Sequence, residues 1–170
     1  MLDSVNMKTT VTKDEFKKQS KKLEKELETL PQQIKQAQIP VIILFEGWGA
    51  AGKGSIISDL ILNFDPRGFK VYSTTDPTEE EKRHPPMWRH WKNLPEKGLM
   101  AILDRSWYQD VSIARVEDDL SDVENLRRMN NINTFERQLT DNGYLVLKFF
   151  LHISQKEQKA RFDKLEDDKN

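Results

Sequence analysis

Residues 41–54, VIILFEGWGAAGKG, constrain the fold more than any other part of the 170-residue chain. Val41-Ile42-Ile43-Leu44-Phe45 is a short, continuous, β-branched run, the pattern of a strand buried on both faces. Behind it, Gly47, four residues, Gly52 and Lys53 fit G-x-x-x-x-G-K. A helical period then follows through Ile56, Ile57, Leu60 and Ile61. Strand, glycine loop and helix in that order form a phosphate cradle. Glycines let the backbone curl through positive φ, so that several N–H groups face one concavity. The helix start adds its positive dipole end, and Lys53 a full charge. The competing reading is a Gly-rich turn with an incidental lysine. The pattern normally closes on Ser or Thr, whose hydroxyl holds Mg²⁺. Gly54 stands there instead and Ser55 falls one residue late, so carboxylates must hold any magnesium.

The remaining chain alternates strands and helices. Thr12 and Glu15 fit a capping box. Phe16, Leu23, Leu27, Leu30 and Ile34 then recur at helical spacing, with Pro31 expected to kink or restart the helix. That stripe reads either as packing on its own domain or as a docking helix. Further helices are expected over residues 55–63, in part of 79–91, over 106–116 and 123–142, and from the cap Ser154 to about 167. Further strands are expected over 69–73, 99–103 and 144–151. Residues 1–11 read as a loose terminus and 12–38 as an amphipathic helical segment. Residues 39–170 read as one phosphate-loop domain of the α/β class, a three-layer parallel sheet with helices on both faces.

Lys and Arg number 27 against 28 Asp and Glu, a net charge of -1, which argues against bulk attraction to nucleic acid or membrane. Cysteine is absent, excluding disulfides, thiolate zinc sites and a cysteine nucleophile. No apolar run approaches a membrane span, and no basic-then-apolar leader is visible at the start. A cytoplasmic protein fits these features.

A second acidic position lies at the end of Leu99-Met100-Ala101-Ile102-Leu103-Asp104. Beside a phosphate loop such an Asp can hold Mg²⁺; the plainer role is a helix cap, which Asp104 or Ser106 could fill. Arg105 is poised for a phosphate oxygen, and Arg115 reaches the rim of the site; either could equally be a solvated or salt-bridged residue. Residues 82–92 mix cations with aromatics. Arg83, Arg89 and Lys92 could line a polyanion groove, while Trp88 or Trp91 could stack on a base or belong to the core. His84 and His90, six apart, do not make a helical ligand pair, and His152 at a strand end reads as structural.

The blocks at residues 46–54, 65–71, 77–81 and 103–108, with Trp88-Arg89 and the segment Lys148-Phe149-Phe150-Leu151-His152-Ile153-Ser154, resemble the polyphosphate kinase 2 family, in particular its polyphosphate:AMP phosphotransferases. The resemblance implies a thymidylate-kinase-like phosphate-loop fold. It also implies Mg²⁺-dependent phosphoryl transfer between polyphosphate and a nucleoside mono- or diphosphate. Lys53, Asp104, Arg105 and Arg115 would then be catalytic, with Asp104 also toward the metal. Gly47, Gly49, Ala50, Ala51, Gly52, Gly54, Ser55 and Arg89 would contact substrate. The implied partners are polyphosphate and nucleotide, with pairing to a second copy or a tandem domain. Three departures stand out. The family usually has an acid where this chain has Gly49, often an Asp or similar residue where Pro85 stands, and a chain that continues past the position of Asn170. This sequence therefore also resembles the degenerate first half of a tandem protein, or a fragment of it, a module that binds phosphate or packs on an active twin.

Overall fold

The computed structural model describes residues 5–7, 9–113 and 121–167. In chain order the elements are α1 (Lys13–Ala37), β1 (Val41–Gly47), α2 (Lys53–Ile61), β2 (Phe69–Ser73), a 3₁₀ turn (Glu81–Arg83), α3 (Trp88–Trp91), β3 (Met100–Asp104), α4 (Gln109–Ser112), α5 (Asp122–Asp141), β4 (Leu145–Leu151) and α6 (Gln155–Asp167). The strands form one sheet in the order β2-β3-β1-β4, parallel throughout. The apolar run Val41–Phe45 is central, as its lack of polar alternation requires: strands lie on both sides and helices on both faces.

Alternation along the strands sends Ile42, Leu44, Ala101 and Leu103 to one face, where Ile132, Phe135 and Leu139 of α5 and the ring of Trp107 cover them. Val41, Ile43, Phe45, Met100 and Ile102 face the other way, against Ile57 of α2, Phe64, and Leu27 and Ile34 of α1. These are the expected three layers. The caps behave as the sequence indicates: Thr12 accepts the Glu15 amide at 3.3 Å, and Ser154 the Glu157 amide at 3.2 Å.

α1 runs through Pro31 as a single 25-residue helix, so the helix does not restart there. The helix expected over 106–116 shrinks to α4 among the described residues, because Arg105 takes a positive φ of 63° and Ser106 is clamped against the strand beside it; its far end lies outside the described residues. Trp88 and Trp91 are not core: Trp88 stacks on His84 at 3.9 Å with Lys92 Nζ 4.2 Å from the ring, and Trp91, half exposed, meets Phe135 edge-on. The buried tryptophan is Trp107.

His90 is an electrostatic weak point of the core. It is 3% exposed, edge-on to Trp107. Its Nε2 lies 4.0 Å from Asp110 Oδ2, and neither atom has a hydrogen-bond partner among the described residues. Burial, helped by the Arg89 charge, pushes the imidazole pKa down to about 4. Between that value and the ordinary 6.5 the unfolded chain binds the proton and the folded chain does not. Stability present above pH 6.5 is therefore lost as pH falls through this window, by about 3 kcal/mol for the full shift. Asp110, whose carboxyl burial pushes up, takes a proton earlier when folded and offsets part of that loss. Urea unfolding at pH 7 and pH 4 is expected to show a shallower pH slope for His90→Phe than for the wild type; equal slopes would remove His90 from this role.

Candidate functional site

The carboxyl ends of β1 and β3 meet at one rim of the sheet, pairing Phe45 with Asp104. From β1 the chain enters the glycine loop. Gly47, at φ 136°, lies so close to the Leu151 carbonyl of β4 that any Cβ would collide with it. Ala50 at φ 56° and Gly52 at φ 97° complete the curl before α2 begins at Lys53. No backbone carbonyl among the described residues accepts from the amides of Gly49, Ala50 or Gly52. They form an anion-ready concavity at the head of a nine-residue helix.

Lys53 sits inside this curl, 8% exposed. Its Nζ donates to the carbonyls of Gly47 and Trp48, each at 3.1 Å. Burial and the Arg105 charge lower its pKa, while Asp104 and Glu46 counteract. The lysine, the arginine and the two carboxylates thus share one electrostatic neighbourhood. Asp104 Oδ1 is buried without a hydrogen-bond partner among the described residues.

The turn after Asp104 is held on every side. The Arg105 amide donates to the Phe45 carbonyl at 2.9 Å, and Thr74 Oγ1 donates to the Arg105 carbonyl at 3.1 Å. Ser106 Oγ donates to Glu46 Oε1 at 2.6 Å. This over-determination keeps a non-glycine residue in the left-handed region, a cost typical of sites built to aim a side chain. Burial raises the Glu46 pKa, against the hydrogen bonds from Ser106 and the charges of Lys53 and Arg105.

α6 closes the loop from above. Gln158 Nε2 donates to the Gly49 carbonyl at 3.1 Å, and Arg161 Nη1 to the carbonyls of Ala50 and Ala51 at 3.2 and 3.1 Å. A Cβ on Gly49 would stand 2.9 Å from the Phe162 ring. Gly54, by contrast, has nothing within 4 Å of its Cβ direction, so the missing hydroxyl is a matter of sequence and not of space.

The structure therefore brings Gly47, Gly49, Ala50, Ala51, Gly52, Lys53, Gly54, Asp104 and Arg105 to one rim. Ser55 is the third residue of α2 and exposed. Arg89 donates from Nη2 to the Thr75 carbonyl at 2.9 Å, has its Nε 3.5 Å from Glu81, and lines with Thr74, Asp110 and Arg128 a cavity of about 350 Å³ that adjoins the Arg105 turn through Thr74. Arg115 lies outside the described residues. Sequence reading missed Glu46, Thr74, Gln158 and Arg161. The last two were detectable only as a three-residue spacing on one face of the closing helix.

A central parallel strand running into an amide nest with a buried lysine, beside a strand-end acid, defines a phosphate-loop α/β protein of the kinase type. The profile of the family described as Polyphosphate kinase 2 (PPK2) matches residues 10–169. A polyphosphate:AMP phosphotransferase of Pseudomonas aeruginosa is 36% identical over 166 residues, which cover 98% of this chain and 34% of that protein. An ADP-polyphosphate phosphotransferase of Rhodopseudomonas palustris is 34% identical over 134 residues, covering 72% of this chain and 46% of that protein. A crystal structure of polyphosphate kinase 2 from Arthrobacter aurescens TC1 superposes with a TM-score of 0.92 at 31% identity, covering 98% of this chain and 62% of that one. The chain belongs to the polyphosphate kinase 2 family. It spans about a third of the polyphosphate:AMP phosphotransferase it matches.

Proposed function

We propose that this chain transfers a phosphoryl group between polyphosphate and a nucleotide. The observation that carries the reading is the curled loop with Lys53 at its centre, set against Asp104 and Arg105. Phosphoryl transfer needs little covalent help; it needs placement and neutralised charge. The loop amides and Lys53 would hold the non-bridging oxygens of the phosphate chain, and Arg105 would meet the charge that builds on the transferred group. The related proteins named for AMP, ADP and GDP as partners of polyphosphate support a nucleotide as the second substrate. No described helix is long and apolar enough to cross a membrane; cytoplasmic action fits this reading.

Mg²⁺ fits the site through Asp104, whose buried Oδ1 is free to accept a cation. Mg²⁺ takes one or two carboxylates and completes its shell with phosphate and water. When bound, it would neutralise phosphate charge. The test is direct: incubate the folded chain with polyphosphate, Mg²⁺ and AMP, ADP or GDP in turn, and follow new nucleotide. Product is expected from at least one acceptor. No product from folded protein with any acceptor would end the reading.

A second reading is favoured by Gly49 alone. With no carboxylate there, the module would bind phosphate without turning over. The structure dictates how to test this. Gly49→Asp must move the Phe162 ring aside, so the informative variant is Gly49→Asp with Phe162→Ala. On the transfer reading this double variant gains no more than about tenfold, the size of a modest positioning effect. A gain of ~10³ or more from a silent wild type would establish the module as degenerate.

A further inference from the structure

The ring of Trp48, in the glycine loop, is 43% exposed yet tied to a distant part of the chain. Its Nε1 donates to His152 Nδ1 at 2.9 Å, across 104 residues of sequence. It also meets Phe150 edge-on, with 5.7 Å between ring centroids. His152 follows directly on β4, whose last residue, Leu151, accepts the Trp48 amide at 3.4 Å. That backbone bond is near the long limit for hydrogen bonding, so the side-chain bond is the firmer tie between Trp48 and the end of β4. The Trp48 carbonyl works on the nest itself. It accepts from Lys53 Nζ at 3.1 Å and from the Ala51 amide at 3.2 Å. The orientation of one residue therefore sets both the seat of the ammonium and the curl of the loop.

The chemistry of the contact admits one protonation state. An indole nitrogen only donates, so the imidazole nitrogen that it meets must be bare. That requires a neutral ring with its hydrogen on Nε2. A second proton would set N–H against N–H and break the tie. The charged groups on the neighbouring elements are engaged with other partners: Glu46 of β1 with Ser106, Lys148 of β4 with Glu136, Arg161 of α6 with Glu157 and the loop, and Lys53 with the loop carbonyls. Asp104 and Arg105 act on Lys53 from the end of β3.

We propose that His152 is a positioning residue: as the neutral imidazole it holds the Trp48 indole, and through the Trp48 carbonyl it keeps Lys53 and the loop amides set for phosphate. The proposal rests on the phosphate-binding half of the proposed function and is independent of turnover.

The experiment uses the full chain, with inorganic tripolyphosphate as the probe. In NMR of isotope-labelled indole nitrogens, the Trp48 signal is the one missing from Trp48→Phe. Its hydrogen is expected to lie downfield at about pH 8 and to move upfield toward about pH 5, the interval in which imidazoles take up a proton. In His152→Gln, whose amide oxygen accepts at any pH, the signal is expected to stay. By calorimetry at about pH 8, His152→Phe, which fills the space but cannot accept, is expected to weaken tripolyphosphate about tenfold, and His152→Gln by less than about twofold. Trp48→Phe combined with His152→Phe should cost no more than either alone. Tripolyphosphate and Glu46 also gain protons as pH falls, so the pH profile is read as the ratio of wild-type to His152→Gln affinity, in which both cancel. That ratio is expected to fall several-fold over the same interval.

An indole signal indifferent to pH overturns the proposal. So does full affinity in folded His152→Phe, and so does a His152→Gln as weak as His152→Phe, which would leave His152 a packing residue. If His152→Phe does not fold in a urea-unfolding control, Trp48→Phe, altering an exposed ring, carries the same tenfold expectation. A folded wild type that binds no tripolyphosphate overturns the proposal as well. One that binds it but makes no nucleotide removes the transfer reading and leaves this one standing.

Discussion

Replacing Lys53 by Ala is expected to lower turnover by about 10²–10³-fold, the usual cost of removing one preorganised charge from a transfer site. The side chain is the only ammonium inside the loop's curl among the described residues, and its two present hydrogen bonds go to the carbonyls of Gly47 and Trp48. On the proposed function, a phosphate chain entering the nest would offer a better acceptor and would draw the ammonium inward. Lys53→Arg should not rescue, because a planar guanidinium does not fit a niche that leaves the lysine 8% exposed. Burial and Arg105 also hold the pKa of Lys53 below the ordinary 10.5. The activity that needs its charge should therefore fade on the alkaline side earlier than for an ordinary lysine. Equilibrium dialysis against labelled polyphosphate, beside steady-state rates, checks the lysine. Unchanged affinity and rate in Lys53→Ala would remove it from the site.

Asp104→Asn should separate activity from stability. Turnover is expected to fall by about 10³-fold, because the acid that would hold the cation becomes a neutral amide. Folding stability should change by no more than ~1 kcal/mol, since the amide has the same shape, removes a buried charge and gives up an attraction to Lys53. Mn²⁺ binding followed by electron paramagnetic resonance should weaken about tenfold or more, independently of turnover. Urea unfolding supplies the stability. A variant that loses both stability and activity would mark Asp104 as structural, the cap role that a strand-end acid can also play.

Both variants act on residues that were legible in the sequence, and the reason is local. A phosphate nest is made by consecutive amides, so its chemistry is written in consecutive residues from Gly47 to Gly54. The same holds for the buried strand Val41–Phe45, whose composition already excluded an exposed edge, and for the caps Thr12 and Ser154, which act over three residues. Arg89 shows the limit of that reading. Its guanidinium meets the Thr75 carbonyl and Glu81 in a cavity that adjoins the Arg105 turn through Thr74. Nothing in its neighbours along the chain records that.

The sequence by itself determined that a parallel strand would run into a curled glycine loop ahead of a helix opened by Lys53, because those properties depend on spacing within a dozen residues. Only the tertiary structure decided what surrounds the loop. Arg161 and Gln158 reach it from more than a hundred residues away, Phe162 fills the space beside Gly49, and Thr74 and Glu46 fix the turn at Arg105. Contacts between distant segments follow from the order of the strands and the packing of helices on them, and a one-dimensional pattern carries no record of which side chains that packing brings together.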